Sequence, residues 1–110
     1  MQKCDLLYLN LSFIEQHYSE NISIEDISSF CGLNRSYFSK VFRDTMGESP
    51  QGFLLHYRMA RAAQLLTESR LPISTISAMV SYPNQLHFSR AFKNVYGISP
   101  RDYRAKHLAL

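Results

Sequence analysis

The sequence predicts an all-α fold of about seven helices, in which two helix-turn-helix subdomains are joined by a long central helix. The main evidence is an internal repeat: residues 34–53 match residues 84–103 at an offset of 50, with seven of the twenty positions identical. Upstream, residues 23–33 match residues 72–82 at an offset of 49, and Pro83 is the one extra residue. Apolar residues recur at helical spacing, and no strand-like alternation is present. The repeat therefore identifies the structural unit as a short helix, a tight turn and a longer helix.

The chain is predicted to begin with one long and one short helix. The first covers about residues 4–18, because apolar side chains recur at i, i+4, i+7 and i+11. These side chains are Leu7, Leu11, Ile14 and Tyr18. Ser23 and Asp26 have the spacing of a capping box, with Asp in place of Glu, and they open the short helix. Gly32 is expected to end it in a left-handed conformation.

The next two helices complete the first subdomain and form the connection. Asn34 can cap a helix over residues 34–46, which stops before a glycine. Ser49 and Pro50 then provide an N-cap and a proline at the first helical position. We expect the central helix to follow over about residues 50–69.

The second subdomain repeats this order. Pro72 begins its short helix, Asn84 caps its longer helix over residues 84–96, and Ser99 restarts a last short helix. The predicted division is a first subdomain over residues 1–48, a connecting helix over residues 49–70 and a second subdomain over residues 71–110.

Charge is distributed unevenly along the chain. The formal net charge is +3, but residues 1–48 carry −3 and residues 49–110 carry +6. Within the first part, Arg35, Lys40 and Arg43 gather on one predicted helix. This segregation indicates an anion-binding surface backed by an acidic one.

The sequence gives no support for an enzyme, a cofactor, a metal site or a membrane protein. Its four histidines lack metal-ligand spacing, and no Gly-rich loop or nucleophile constellation is present. No apolar run approaches the ~20 residues of a membrane helix. Polar residues interrupt the first eighteen positions, which argues against a signal peptide. Cys4 and Cys31 suggest no disulfide framework, and a reducing cytoplasm fits them best.

Each longer helix of the repeat is predicted to have an aromatic inner face and a mostly polar outer face. The inner faces hold Phe38 and Phe42 in one helix and Phe88 and Phe92 in the other. The outer faces hold Ser36, Ser39, Lys40 and Arg43, and then Leu86, Ser89, Arg90 and Lys93. The aromatic stripe could instead stack on single-stranded nucleic acid, and the outer faces could be merely solvated. Helical spacing favours core packing for the stripe, and repetition favours a binding role for the outer faces.

Two such units favour double-stranded DNA as the partner. The second helix of a helix-turn-helix fits the major groove and presents its N-terminal residues to base edges. Two reading helices on one face of a duplex must lie about one turn, ~34 Å, apart, and a central helix of this length measures roughly 30 Å. We therefore expect one chain to bind as a monomer to a non-palindromic site. A helical protein-binding module is the alternative, and a steep loss of DNA affinity with salt would separate the two.

The chain closely resembles the DNA-binding domain of the AraC/XylS family over about residues 5–105. The most specific matches are Phe88, Phe92, Gly97, Ser99, Pro100, Tyr103 and Arg104. The resemblance implies two helix-turn-helix units joined by a central helix, recognition helices at 34–46 and 84–96, and transcriptional regulation, most often activation. One departure is Ser81, which stands where the family usually has Gly in the second turn. Pro83 lies two residues further on. A left-handed backbone costs serine more than glycine.

The resemblance also implies which residues contact bases. The expected base contacts are Ser36, Ser39, Lys40, Gln85, Leu86, Ser89 and Arg90. Specificity is expected to depend more on the second helix, because Arg90 can bond bidentately to guanine and Gln85 to adenine, while Leu86 can contact a thymine methyl. That Arg90 holds only a phosphate is the alternative. The expected phosphate contacts are Arg35, Arg43, Lys93, Arg101 and Arg104, and packing within the last helix is the alternative for Arg104.

A larger protein is implied as well, because the family's DNA-binding module usually follows a sensor domain, or sometimes a receiver domain. The alternative is a module that stands alone, as it occasionally does in the family. We expect this chain to be the DNA-binding part of a ligand-responsive regulator, with RNA polymerase as a second partner. The fragment is expected to be a monomer, and a homodimer is compatible with a full-length protein. The expected location is the bacterial cytoplasm, at the nucleoid through DNA binding.

Overall fold

The computed structural model describes the backbone of residues 3–108 and the side chains of residues 8–108. This part of the chain forms seven helices and no strand, which confirms the predicted all-α fold. The helices are α1 (Lys3–His17), α2 (Ile24–Phe30), α3 (Arg35–Met46), α4 (Pro50–Glu68), α5 (Ile73–Met79), α6 (Gln85–Tyr96) and α7 (Pro100–His107). Two residues used in the sequence argument, Cys4 and Leu7, lie outside the described side chains.

Local capping chemistry sets the helix starts, as the sequence predicts. The Ser23 Oγ accepts the Asp26 N–H at 3.1 Å, and the Asp26 Oδ2 accepts the Ser23 N–H at 2.9 Å, which completes a capping box. The side-chain oxygens of Asn34 and Asn84 accept N–H groups from the first turns of α3 and α6. The Ser99 Oγ does the same at the start of α7. These bonds satisfy N–H groups that have no partner inside a helix.

The chain divides into two compact units, Met1–Leu55 and His56–Leu110, and the division falls inside α4. This boundary differs from the predicted division into residues 1–48, 49–70 and 71–110, which stays a prediction.

The first unit packs α1 against α2 and α3. Its core contains Ile14, Ile27 and the two α3 aromatics Phe38 and Phe42, all of them buried. The Phe42 ring meets the ring of Phe53 edge-on, with centroids 5.6 Å apart. The aromatic stripe of α3 is therefore a core face, as predicted.

The second unit packs α5 and α7 against α6 and repeats this arrangement. Ile76, Phe88 and Phe92 are fully buried. The Phe92 ring meets the Tyr103 ring edge-on at 5.3 Å, which is the repeat counterpart of the contact in the first unit. α3 and α6, the two predicted reading helices, are thus each fixed on one side by aromatic packing, and the opposite side of each faces solvent.

The buried face of α1 differs from the expected one. Leu11, one of the four apolar residues at helical spacing, is 38% exposed, whereas Asn10 is fully buried one turn before the buried Ile14. The side-chain oxygen and nitrogen of Asn10 have no hydrogen-bond partner among the described residues. The spacing of apolar residues does not predict the burial of Asn10, because α1 carries apolar residues on more than one side and the pattern does not define a single buried face.

Candidate nucleic-acid interface

The turn before each reading helix has the same backbone structure. In the first turn, Gly32 is left-handed with φ of 74°, and the Leu33 N–H donates to the Ser28 carbonyl at 2.9 Å. The Gly32 N–H also donates to the Ser29 carbonyl at 3.0 Å. This pair of bonds is a Schellman motif, which satisfies the last carbonyls of α2 and sets the direction of the chain entering α3.

The second turn repeats the motif with a different residue at the left-handed position. Ser81 has φ of 68° and is the one non-glycine residue with positive φ in the described chain. The Tyr82 N–H donates to the Ser77 carbonyl at 2.9 Å, and the Ser77 Oγ bonds to the Tyr82 carbonyl. The departure from glycine therefore leaves the turn geometry intact, and α6 starts from the same kind of turn as α3.

On α3, the structure displays the predicted contact residues on the side opposite Phe38. Ser36, Lys40 and Arg43 are exposed, and Ser39 is half-buried. An open concavity on this side is lined by Ser36, Ser39, Lys40, Arg43 and Asp44. Four of these five residues were predicted to contact DNA, and the structure brings them to one surface.

Asp44 is the one residue lining this concavity that was not among the predicted DNA contacts. It is exposed, and it makes no hydrogen bond or ion pair with any described residue. Its angular position, next to Lys40 on the helical wheel, is the sequence signal that places it on this face. A carboxylate on this surface repels phosphate and can accept a hydrogen bond from the cytosine amino group.

On α6, Leu86, Ser89, Arg90 and Lys93 lie opposite the buried aromatics, and Gln85 is the first residue of the helix. Gln85, Arg90 and Lys93 are exposed, and Ser89 is half-buried. Leu86 is 58% exposed at the second position of the helix. More than half of this apolar side chain therefore faces solvent on the outer face of α6.

Arg35, predicted to bind phosphate, has a partner within the first unit. Its Nη1 donates to the Oε1 of Glu25, in the first turn of α2, at 3.0 Å. Both side chains are well exposed, so this ion pair adds at most about 1 kcal/mol to stability. The contact joins the two helices of the first helix-turn-helix across the turn.

The remaining predicted phosphate contacts fall into two groups. Arg43, Lys93 and Arg101 are exposed and form no ion pair with any described residue. Arg104 is half-buried, and its Nε donates to the carbonyl of Leu66 in α4 at 3.1 Å. Its Nη2 is buried as well. This arrangement favours a structural role for Arg104, although its partner is a carbonyl of the central helix and not a group in α7.

Burial also perturbs the pKa values of Arg58 and Cys31, which have no expected role in binding. It lowers the pKa of Arg58 in α4, and nearby Tyr82 acts in the opposite direction. It raises the pKa of the Cys31 thiol, which keeps that side chain neutral in the core. No cluster of three metal-binding side chains exists among the described residues. No helix within residues 3–108 is long and apolar enough to cross a membrane.

Comparison with known proteins identifies similar chains. The profile of a family described as a helix-turn-helix domain matches residues 27–106. The lactose operon transcription activator of Staphylococcus xylosus is 36% identical over 94 residues, which are 86% of this chain and 34% of that protein. This chain spans about a third of the length of the curated relatives it matches.

Solved structures share the fold. The C-terminal domain of AraT, a response regulator from Geobacillus stearothermophilus, superposes with a TM-score of 0.91 and 31% identity, covering 96% of this chain and 88% of that one. The DNA-binding domain of AdpA, solved in complex with a target DNA, has a TM-score of 0.85 at 23% identity and covers 92% and 90%.

Proposed function

Because this chain belongs to the AraC-type helix-turn-helix family of DNA-binding domains, we propose that it binds double-stranded DNA sequence-specifically, with α3 and α6 each in a segment of major groove. The observation that carries the proposal is the repeated unit itself. Two reading helices follow the same Schellman turn, each fixed by buried aromatics and each with a polar, partly basic face exposed. The family and the fold are those of DNA-binding transcription regulators and not of enzymes.

We assign base contacts to the exposed outer faces of the two helices. They are Ser36, Ser39 and Lys40 on α3, and Gln85, Leu86, Ser89 and Arg90 on α6. The long side chains of Arg90 and Gln85 can form bidentate bonds to purines, whereas the two α3 serines are short and discriminate weakly. Base preference is therefore expected to depend mainly on α6.

Phosphate contacts are assigned to the exposed cations beside these faces, namely Arg35, Arg43, Lys93 and Arg101. The N–H groups in the first turns of α3 and α6 that the caps leave unbonded are further donors to phosphate. Arg104 is left out of this set, because its guanidinium is used within the second unit.

The role of the whole protein is inferred from its relatives. A relative named as a lactose operon transcription activator supports a transcription regulator, and activation is the mode we propose. Activation implies contact with RNA polymerase. A ligand-sensing segment and a homodimer are proposed for the full-length protein, in the bacterial cytoplasm at the nucleoid. The chain described here is proposed to bind as a monomer, since it contains two reading helices.

Selection of binding sites from random duplex DNA, followed by footprinting, tests the proposal. A monomer that reads two major-groove segments should select a non-palindromic site and protect about two helical turns on one face. Affinity should fall steeply as salt rises. A footprint confined to one turn at saturation, or a requirement for two chains per site, would contradict it.

A further inference from the structure

We propose that Glu25 and Asp44 restrain DNA binding by the first helix-turn-helix unit. Both carboxylates weaken its attachment to any duplex, whatever the base sequence. The inference depends on the proposed function, since it concerns the same DNA-reading surface. It assigns a role to two carboxylates that the base and phosphate contacts do not use.

Glu25 holds the cation at the start of α3. Its carboxylate bonds to Arg35, the first residue of α3, at 3.0 Å. A guanidinium held by a carboxylate attracts phosphate less strongly than a free one, because the pair is close to neutral. The pair contributes little to folding because both groups are exposed, so its main electrostatic consequence falls on an approaching polyanion.

Asp44 places a carboxylate among the cations of the outer face of α3. It lines the same concavity as Lys40 and Arg43 and forms no ion pair with either of them. A duplex that approaches this face meets two cations and one carboxylate. The carboxylate is exposed, so it acts on the phosphates through water and is partly screened by salt.

The internal repeat aligns the first unit with the second position by position. Glu25 corresponds to Ser74, and Asp44 corresponds to Asn94. The second reading face keeps the cations Arg90 and Lys93 but has neither carboxylate. The two units therefore share one backbone design, and the electrostatic restraint is confined to the first.

The consequence is an unequal pair of readers. The second unit attaches to phosphate with little opposition, whereas the first needs favourable base contacts to offset its two carboxylates. Because the carboxylates act on phosphates, the restraint lowers affinity for the selected and the scrambled duplex alike and leaves the ratio of the two affinities unchanged.

The test measures dissociation constants of the chain for its selected duplex and for a scrambled duplex across a salt series. Asp44→Asn and Glu25→Gln each remove one carboxylate and keep the side-chain shape. Each should raise affinity for both duplexes by about two- to five-fold, the range that an exposed charge pair implies. The gain should shrink at high salt.

Two further variants make the result specific. Glu15→Gln removes the same charge from α1, where the side chain touches neither Arg35 nor the concavity, and it should change affinity less than either variant. Asn94→Asp places a carboxylate at the matching position of α6 and should lower affinity for both duplexes by a similar factor. Thermal melting of each variant confirms that it is folded.

Several outcomes would overturn the inference. One is that Asp44→Asn and Glu25→Gln match the Glu15→Gln control. Another is that Asp44→Asn loses affinity for the selected duplex alone, which would make Asp44 a base contact, for example to a cytosine amino group. Failure of the proposed function is distinguishable, because the unsubstituted chain would then show no saturable, salt-dependent binding to any duplex.

Discussion

Gly32 and Ser81 occupy the same left-handed position in the two helix-turn-helix turns, with φ of 74° and 68°. An L-residue with a Cβ pays about 1–2 kcal/mol for this conformation, and glycine does not. The second turn therefore keeps its Schellman bonds at a cost that the first turn avoids.

Replacing this serine should stabilise the chain. Ser81→Gly removes the strain, and we expect the free energy of unfolding to rise by about 0.5–1 kcal/mol once the extra freedom of glycine in the unfolded chain is counted. Gly32→Ala is the matched test in the first turn. An added Cβ there meets no atom within 4 Å, so the loss of about 1 kcal/mol should come from backbone strain alone. Urea unfolding of both variants measures these changes, and a loss of stability in Ser81→Gly would contradict the account.

Asn10 should be replaceable by leucine with a gain in stability. Its side chain is fully buried and has no hydrogen-bond partner among the described residues. A buried polar group left unpaired costs about 1–3 kcal/mol, and leucine has a similar shape. We expect Asn10→Leu to raise the melting temperature, whereas Asn21→Leu at an exposed site should leave it nearly unchanged. A lower melting temperature for Asn10→Leu would indicate a polar partner, such as a bound water.

Arg104 should act on stability and leave the electrostatic part of DNA binding unchanged. Loss of the charged hydrogen bond to the Leu66 carbonyl in Arg104→Ala should cost about 1.5–3 kcal/mol. The slope of log affinity against log salt should stay the same, because no phosphate contact is lost. Unfolding and salt titration on the same preparation separate these effects. A shallower salt slope with unchanged stability would return Arg104 to the phosphate contacts.

Lys93 is expected to show the opposite behaviour. Lys93→Ala should weaken binding to the selected and scrambled duplexes alike and reduce the salt slope by about one. Stability should change little, because the side chain is exposed. Arg70→Ala, which removes an exposed cation outside the proposed interface, is the control. A change in base preference at one position, with an unchanged salt slope, would show that Lys93 reads a base.

Arg90 should determine base identity at one position. Arg90→Ala is expected to cost about 1–3 kcal/mol on the selected duplex and to relax preference at that base pair, because a bidentate bond to guanine is lost. Lys40→Ala on α3 should cost less and relax little. Competition binding with single-base variants of the site measures both. Equal losses of affinity on selected and scrambled duplexes would assign Arg90 to the phosphate backbone.

The sequence predicted the features that depend on neighbours along the chain. The caps at Asn34 and Asn84 and the helix ends at Gly47 and Gly97 need only a few adjacent residues, and the structure has each of them. It also shows both glycines in the left-handed conformation. The internal repeat made the buried and exposed faces of α3 and α6 predictable as well, because the same pattern of aromatic and polar positions occurs in both helices.

Features that depend on distant residues were missed. The bond from Arg104 to Leu66 joins residues 38 positions apart, and the pair of Glu25 and Arg35 crosses a turn. Charge counts along a sequence cannot show which cation has a partner. The burial of Asn10 was missed for a related reason, because a polar residue on an inward face breaks the apolar pattern used to find that face.

The Schellman turns position both reading helices through backbone bonds that do not depend on the residues of their exposed faces. Direction into each helix is set by backbone bonds to the buried residues Ser28 and Ser77, and anchoring is set by the inward aromatics. The exposed faces take part in neither, so their residues are free to drift or be redesigned while the scaffold is retained. A library confined to those outward positions would explore new base preferences while the scaffold is retained.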